Sequence, residues 1–440
     1  MPLILPANTL VSTVTYDVAN SCRFNDDDSS KLSKTMVAGD EDKWTMSMWV
    51  KRGNISQTDP TSRCLFFAGS DNGVFFKSDD TLNFYHYTDS YVGQLITTRK
   101  FRDVGAWYHF VFVWDSGNAT AGNRMRIYVN GVEETVFGTD TQPAQDANSG
   151  FNIADDTFYI GINDGDTPYL DAYVAEVVFL DGTAATPTSF GEFNSDSPTI
   201  WQPIDVSGLT FGNNGFYLDF EDSSNLGNDA NGGTDFTEVN LAATDQATDT
   251  PTNNFCTMNP LANYINGSTF TDGNNTMTTA NNTRSYNIAT MGLTSGKWYF
   301  ETYMNELVSG PGQNTLIGIA DAETTNLGNQ LGILASQYAY YATTGGSYNS
   351  NTDTGYGDTY TTGNYIGTYI DLDNNKIYWA KDGVIQNSGT GVTITAASGT
   401  PGGAYLPALG FWSNIPIYKY NLNFGGCPSF AISSGNADAN

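Results

Sequence analysis

Two histidines, His86 and His109, are the only imidazoles in the 440-residue chain. Neither is spaced with Ser, Cys or an acid in a way that makes a nucleophile or a metal site. His109 lies in AWYHFVFVW, alternating with Trp107 and Val111, and reads as a packing residue of a strand. Glycosidic hydrolysis with retention needs two carboxyls about 5 Å apart, flanking the bond. A strand supplies them at alternate positions, as in Glu-x-Asp-x-x-Glu. The nearest run, DAYVAE at 171–176, has the wrong parity and spacing. Glu176 therefore reads as a rim or ladder residue, and hydrolase chemistry is the least supported function.

Two acidic turns offer oxygen ligands of the kind Ca²⁺ takes. One is Asn25 with Asp26, Asp27 and Asp28; the other is Gly39, Asp40, Glu41 and Asp42. Calcium is the one cofactor to consider, and a solvated turn is the simpler reading. The run DLDNN at 371–375 resembles an EF-hand loop only superficially. Lys376 stands where the loop needs Gly, and Asp382 where it needs Glu. Recognition of a glycan or protein calls for exposed rings flanked by amides and carboxylates. The segment 337–362 supplies Tyr338, Tyr340, Tyr341, Tyr348, Tyr356 and Tyr360 among Asn, Thr, Gly and Asp. Tyr85, Tyr87 and Tyr91 are weaker equivalents. The competing reading is that the rings of 337–362 pack a core.

Composition narrows the partners. Eighteen Lys and Arg face 47 Asp and Glu, for a net charge of −29. Such a surface repels phosphate backbones and excludes nucleic acid as a partner. Cys22, Cys64, Cys256 and Cys427 form no metal or knottin spacing and read as buried thiols, with Cys22–Cys64 the one disulfide to consider. The start, MPLILPANTL, has no basic n-region, so it is not read as a secretory signal, and no run approaches the ~20 apolar residues of a membrane span. Synthesis in a cytosol is expected, with any extracellular duty reached by release or by assembly into a particle. Leu3, Ile4 and Leu5, between Pro2 and Pro6, are candidates for a docking peptide or an arm packed on its own domain.

The elements that must position these residues are strands. With 46 Gly, 26 Tyr and 25 Phe, the chain favours strands and turns, and its length suits two domains. Two tight hairpins are written into it, RMRIYVNGVEETVF at 124–137 and NKIYWAKDGVIQNS at 375–388. Asn130-Gly131 and Asp382-Gly383 are dipeptides that accept positive φ at both centres of a type I′ turn. Short strand runs at sandwich spacing fill about 18–200 and resume over 285–428. Between them, 201–284 is rich in Gly, Asn, Asp and Thr yet carries the strand-like FYLDF at 216–220. It reads as a structured connector whose aromatics pack on a sandwich edge. Residues 1–17 form an arm and 429–440 a tail.

The first strand set resembles the laminin G-like, or concanavalin A-like, jelly roll. The carrying pieces, in order, are CRFNDDDSSKLS, WTMSMWVKRG, AWYHFVFVWD, RMRIYVNGV, FYIGIND and YVAEVVFLDGTAATPTSFGE. The second resembles the SPRY domain, through SGKWYFETYM, TLIGIADAE, GNYIGTYIDLDNNKIYWAKDGVI, AYLPALGFW and YNLNFGG. The fold expected is all-β, two antiparallel β-sandwiches in series. The full order, from MPLILPAN through both modules, resembles a protein recurrent in marine bacteriophages. That resemblance implies a non-enzymatic virion protein, made in the host cytoplasm and exposed on the particle. A tail-fibre or tail-associated adhesin for a host surface glycan or protein is the first expectation. A capsid or tail decoration protein bound to other virion proteins is the alternative. No heptad run supplies a fibre stalk, so a homo-oligomer, trimeric by analogy, would form through sandwich faces, the connector or the arm. No membrane insertion is expected.

Overall fold

The computed structural model describes residues 16–53, 55, 63–69, 72–163, 169–263, 267–279, 284–309, 314–323, 329–411, 417–426 and 430. Leu3, Ile4 and Leu5 lie outside the described residues. Among those described, helix is confined to six three-residue 3-10 turns, and none is long and apolar enough to cross a membrane. The chain forms two compact units, Leu10–Asn254 and Phe255–Asn440.

The first unit is a sandwich of two antiparallel sheets. One sheet is centred on strands Tyr108–Asp115, Lys43–Arg52 and Ala172–Asp181, and the other runs through Tyr91–Lys100, Thr81–Tyr87, Asn72–Phe76 and Arg63–Ala68. The runs YHFVFVWD and AYVAEVVFLD lack polar alternation because both of their faces are covered. Phe110, Phe112, Trp114, Val174 and Phe179 enter the core between the sheets. Val111, Val113, Val178 and Leu180 pack outward into a second cluster with Phe190, Val206, Phe211 and Tyr217. A continuous apolar strand is what burial on both faces demands.

That covering layer corrects the expected domain boundary at 200. Residues 201–254 are not a separate connector but part of the first sandwich. Phe216–Leu218 pairs with Ala172–Asp181, Thr237–Val239 with Lys31–Thr35, and Gln246–Ala247 with Ser21–Phe24. Charge fixes the same attachment. Lys51, 1% exposed, donates to Asp249 Oδ2 at 2.6 Å and to Asn254 Oδ1 at 2.8 Å, while Trp107 Nε1 donates to Asp249 Oδ1 at 2.9 Å. Arg23 pairs with Asp245 at 3.0 Å. The remainder, from 255, belongs to the second unit.

The second unit is likewise two antiparallel sheets. One contains Ser285–Ala289, Tyr405–Phe411, Thr315–Asp321 and Gln337–Tyr341; the other contains Ile417–Asn423, Lys297–Ser309, Tyr365–Asp371 and Lys376–Lys381. Both predicted hairpins adopt the φ signs of type I′, +49° and +79° at Asn130-Gly131 and +48° and +81° at Asp382-Gly383. Cys22 and Cys64 are buried thiols, not a disulfide.

Candidate functional site

The segment 337–362 is not a loop set. It forms strands Gln337–Tyr341, Gly346–Asn349 and Thr352–Gly355, which extend one sheet of the second unit as a meander. Its six tyrosines are core, at 0–8% exposure, and this corrects their reading as an exposed binding surface. Tyr338, Tyr340, Tyr356 and Tyr360 pack between the sheets around Trp379, and Tyr341 and Tyr348 pack in a second cluster. Each hydroxyl keeps a partner, as buried tyrosines require. Tyr360 donates to the Tyr340 carbonyl at 2.7 Å, Tyr340 to the Asp358 carbonyl, Tyr341 to Asn314 Oδ1 at 3.0 Å and Tyr348 to Asn351 Oδ1 at 2.7 Å. The Tyr338 hydroxyl accepts from Thr395 N at 3.0 Å, and that of Tyr356 from Trp379 N at 3.2 Å.

The half-buried rings of this unit are others. Tyr299, Tyr369 and Tyr378 stand directly opposite one another across three strands, and Tyr303 stands opposite Tyr365. Their parity was visible in WYFETY, YIGTYID and KIYWAK, where Tyr alternates with inward Phe, Thr, Ile and Trp. These are cross-strand pairs of the kind that stabilise sheets. Tyr303 and Tyr365 stack at 4.5 Å between centroids and Phe430 packs on both.

The carboxylates of the two acidic turns are engaged with other groups or exposed. Asp26 is paired with Arg63 at 2.9 Å, Asp28 accepts from Asn25 Nδ2 at 2.7 Å, and Asp27 is exposed. Asp40 Oδ1 accepts the Asp42 backbone N–H at 3.0 Å. Among the described residues no three His, Cys, Asp or Glu side chains converge as a metal would need.

His109 has a partner the sequence did not show. Its Nε2 lies 2.8 Å from Ser47 Oγ, and Trp201 Nε1 donates to its Nδ1 at 2.9 Å. The indole N–H leaves Nδ1 as the acceptor, so the ring proton sits on Nε2 and points at the serine. A base for Ser47 would need the opposite tautomer. The ring stacks on Trp49 at 4.7 Å, and burial pushes its pKa down to about 3.

Glu176 is not a rim residue. It sits at φ +50°, where the pairing of its strand with Lys43–Arg52 slips, and it is 5% exposed. Its carboxyl accepts Tyr217 Oη at 2.9 and 3.0 Å and Tyr16 Oη at 3.2 Å. Burial, opposed by the two phenols and reinforced by Asp219 and Glu221, raises its pKa to about 7.

What remains is a cleft of about 500 Å³ in the first unit. Hairpin geometry makes it. In strand Thr81–Tyr87, Leu82 and Phe84 point into the core; the next inward position is His86. In strand Asn72–Phe76, Phe76 and Val74 point inward; the next is Asn72. The register sets Phe76 opposite Leu82, Val74 opposite Phe84 and Asn72 opposite His86. The last rung of an apolar ladder is therefore polar, where the sandwich opens. His86 meets Trp114 edge-on at 5.9 Å. Gly150 passes so close that a Cβ there would lie 1.6 Å from Asn72 Nδ2.

Both residues of this rung are over nine-tenths buried, and each keeps one atom, Asn72 Oδ1 and His86 Nδ1, that is closed to solvent and has no hydrogen-bond partner. The Asn72 amide is oriented by donation from Nδ2 to the Ala68 carbonyl at 3.2 Å. Burial pushes the His86 pKa down to about 4, so the ring is neutral at pH 7. The far wall is held by Ser149 N donating to the Glu41 carbonyl at 2.8 Å and by Asn148 Nδ2 donating to Glu41 Oε2 at 2.6 Å. Tyr87 lines the lip, its ring 5.1 Å from the exposed Tyr91, which in turn meets Tyr85 at 6.2 Å. Glu41, Asp89 and Asp156 add carboxylates, and no Lys or Arg lines the cleft among the described residues.

The scaffold is two antiparallel sandwiches, the first with a polar cleft at an end of its core. Residues 24–188 match the family model described as the concanavalin A-like lectin/glucanases superfamily, and residues 297–421 match the SPRY domain. The chain thus carries a concanavalin A-like domain followed by a SPRY domain. Similar solved structures include the SPRY domain of human HERC1, at 18% identity over 40% of this chain and 99% of that one, with a TM-score of 0.31. A second human SPRY domain matches at 21% identity over 34% of this chain and 90% of that one, with a TM-score of 0.27. No curated protein matches.

Proposed function

We propose that the chain is a non-enzymatic bacteriophage virion protein, a tail-associated adhesin that recognises a host surface glycan through the cleft of its first sandwich. The supporting observation is the cleft at an end of the first sandwich, with Tyr87 at its lip beside Asp89, Thr88 and Asn148 and no Lys or Arg among its described lining residues. The lectin-containing superfamily matched by this region agrees with such a ligand. The acidic surface keeps the particle clear of nucleic acid and leaves uncharged glycans as suitable partners.

The test is twofold. Labelled antibody against the chain should decorate the tail in electron micrographs, and the purified chain should compete with phage for adsorption to host cells. A position on the capsid lattice, with no competition, would replace this reading with that of a decoration protein bound to other virion subunits.

A further inference from the structure

Independently of the adhesin reading, we infer that Lys51 and Asn254 close an intramolecular isopeptide bond, with Asp249 as the proton carrier. Lys51 lies on strand Lys43–Arg52, opposite Tyr173, whose ring is 5.8 Å from Nζ. The chain reaches this amine through a tight turn in DTPTNN, 249–254. Thr250 and Asn253 exchange both backbone hydrogen bonds, at 3.2 and 3.1 Å, around Pro251, whose fixed φ suits the second position of such a turn. Asp249 and Asn254 flank the turn, and both side chains accept from the Lys51 ammonium, at 2.6 and 2.8 Å. Ser21 Oγ pins the turn to the sandwich by donating to the Asp249 carbonyl at 2.6 Å.

An amine held against an amide is a nucleophile against an acyl carbon. Holding the two together is worth an effective molarity of roughly 10⁵–10⁸ M. The contact with Asn254 Oδ1 leaves Cγ one bond from the amine, and Asn254 Nδ2 donates to the Gly105 carbonyl at 2.7 Å, which keeps the amide from turning away. Trp107 takes Asp249 Oδ1 at 2.9 Å, so Oδ2 faces the ammonium. The Lys51 and Asp249 side chains are 1% and 2% exposed, which shields the proton transfer from water. Asp249 acts as base and then as acid. Its Oδ2 takes a proton from Nζ, and the freed lone pair forms the Nζ–Cγ bond. A second Nζ proton follows by the same route as the adduct collapses. Both protons pass in turn to Nδ2, the Cγ–Nδ2 bond breaks, and the carbonyl re-forms. The lysine ammonium and the asparagine amide thus become one secondary amide and one ammonium ion. Asp249 ends as a carboxylate, and nothing is oxidised or reduced.

Mass spectrometry of the purified, denatured full chain tests this. The chain should be lighter than its sequence by one ammonia, and digestion should release a branched peptide joining Lys51 to Asn254. Lys51→Arg keeps the charge but gives no free amine, Asp249→Asn keeps the shape but carries no proton, and Asn254→Ser has no amide to attack. Each variant should show its full sequence mass. Substitutions of Lys51 or Asp249 disturb the ion pair as well as the bond, so the share of stability due to the bond is read from Asn254→Ser, which leaves the pair intact. That variant should fold and melt at a lower temperature than the parent, because a bond closing so long a loop restricts the unfolded chain. A folded parent of full sequence mass would overturn the assignment. So would an ammonia loss that maps to a cyclised Asn254 with Lys51 unmodified, or one that persists in Lys51→Arg. The mass of the parent decides the matter even where a variant fails to fold.

Discussion

Ser47 Oγ and His109 Nε2 lie 2.8 Å apart, the contact of a nucleophile and its base, yet with the proton on the wrong nitrogen. Trp201 imposes the tautomer by donating to Nδ1. Both residues are buried, at 1% and 0% exposure. Ser47 is therefore expected to resist a fluorophosphonate probe in the native chain. Ser47→Ala should remove the partner of a buried N–H and lower stability by about 1–3 kcal/mol, measured by urea denaturation. Labelling of Ser47 in the folded protein would contradict the tautomer assignment.

Glu176 makes stability depend on pH in the direction opposite to that of most acids. Its folded pKa, about 7, stands above the unfolded value of 4.5, so the folded state binds more protons between the two. Its contribution is fully present below about pH 4.5 and is lost as pH rises through 7, by about 3 kcal/mol in all. Glu176→Gln keeps acceptors for Tyr217 and Tyr16 and removes the charge. The variant should be more stable than the parent at pH 8 and equal to it at pH 4, by thermal melting at each pH. A parent more stable at pH 8 would refute the sign.

The buried pair Lys51 and Asp249 ties residues 201–254 to the first sandwich. Asp249→Ala should cost about 3–5 kcal/mol by stranding the ammonium. Lys51→Met with Asp249→Leu should recover much of that loss, since neither charge is then left alone. A fragment ending at 200 should fail to fold cooperatively, and one ending at 254 should succeed, as judged by calorimetry.

Tyr360 and Tyr87 should respond oppositely. Tyr360→Ala opens a cavity in the second unit and should cost about 3–5 kcal/mol, with no effect on sugar binding in chain that remains folded. Tyr87→Ala should spare stability and weaken the sugar. Loss of binding from Tyr360→Phe, which removes one buried hydroxyl worth about 1 kcal/mol, would return attention to the second unit.

The all-β class and both hairpins were legible because turn chemistry and strand parity are local. Asn130-Gly131 and Asp382-Gly383 announce positive φ without help from the rest of the chain. Burial is not local. Tyr340 and Tyr360 sit in a sequence as polar as any surface loop, and only the pairing of Gln337–Tyr341 with strands on both sides places them inside. The cleft was half legible. His86 shares parity with Leu82 and Phe84, which marks it as inward, but its partner Asn72 is fixed by a cross-strand register that no spacing reveals. Glu176 was misjudged because alternation fails at a bulge, and a positive φ at Glu has no sequence signature.

The covering layer of residues 182–220 and the strands that follow it change what counts as a transferable piece of this gene. The family match closes at 188, and a recombination joint placed there would deliver a jelly roll with one face bare, Lys51 without Asp249 and Arg23 without Asp245. Only exchanges that carry the chain to about 254 hand over a domain able to fold in its new host protein. The heritable cassette is thus longer than its recognisable signature, and viable chimeras should have their crossovers after that point.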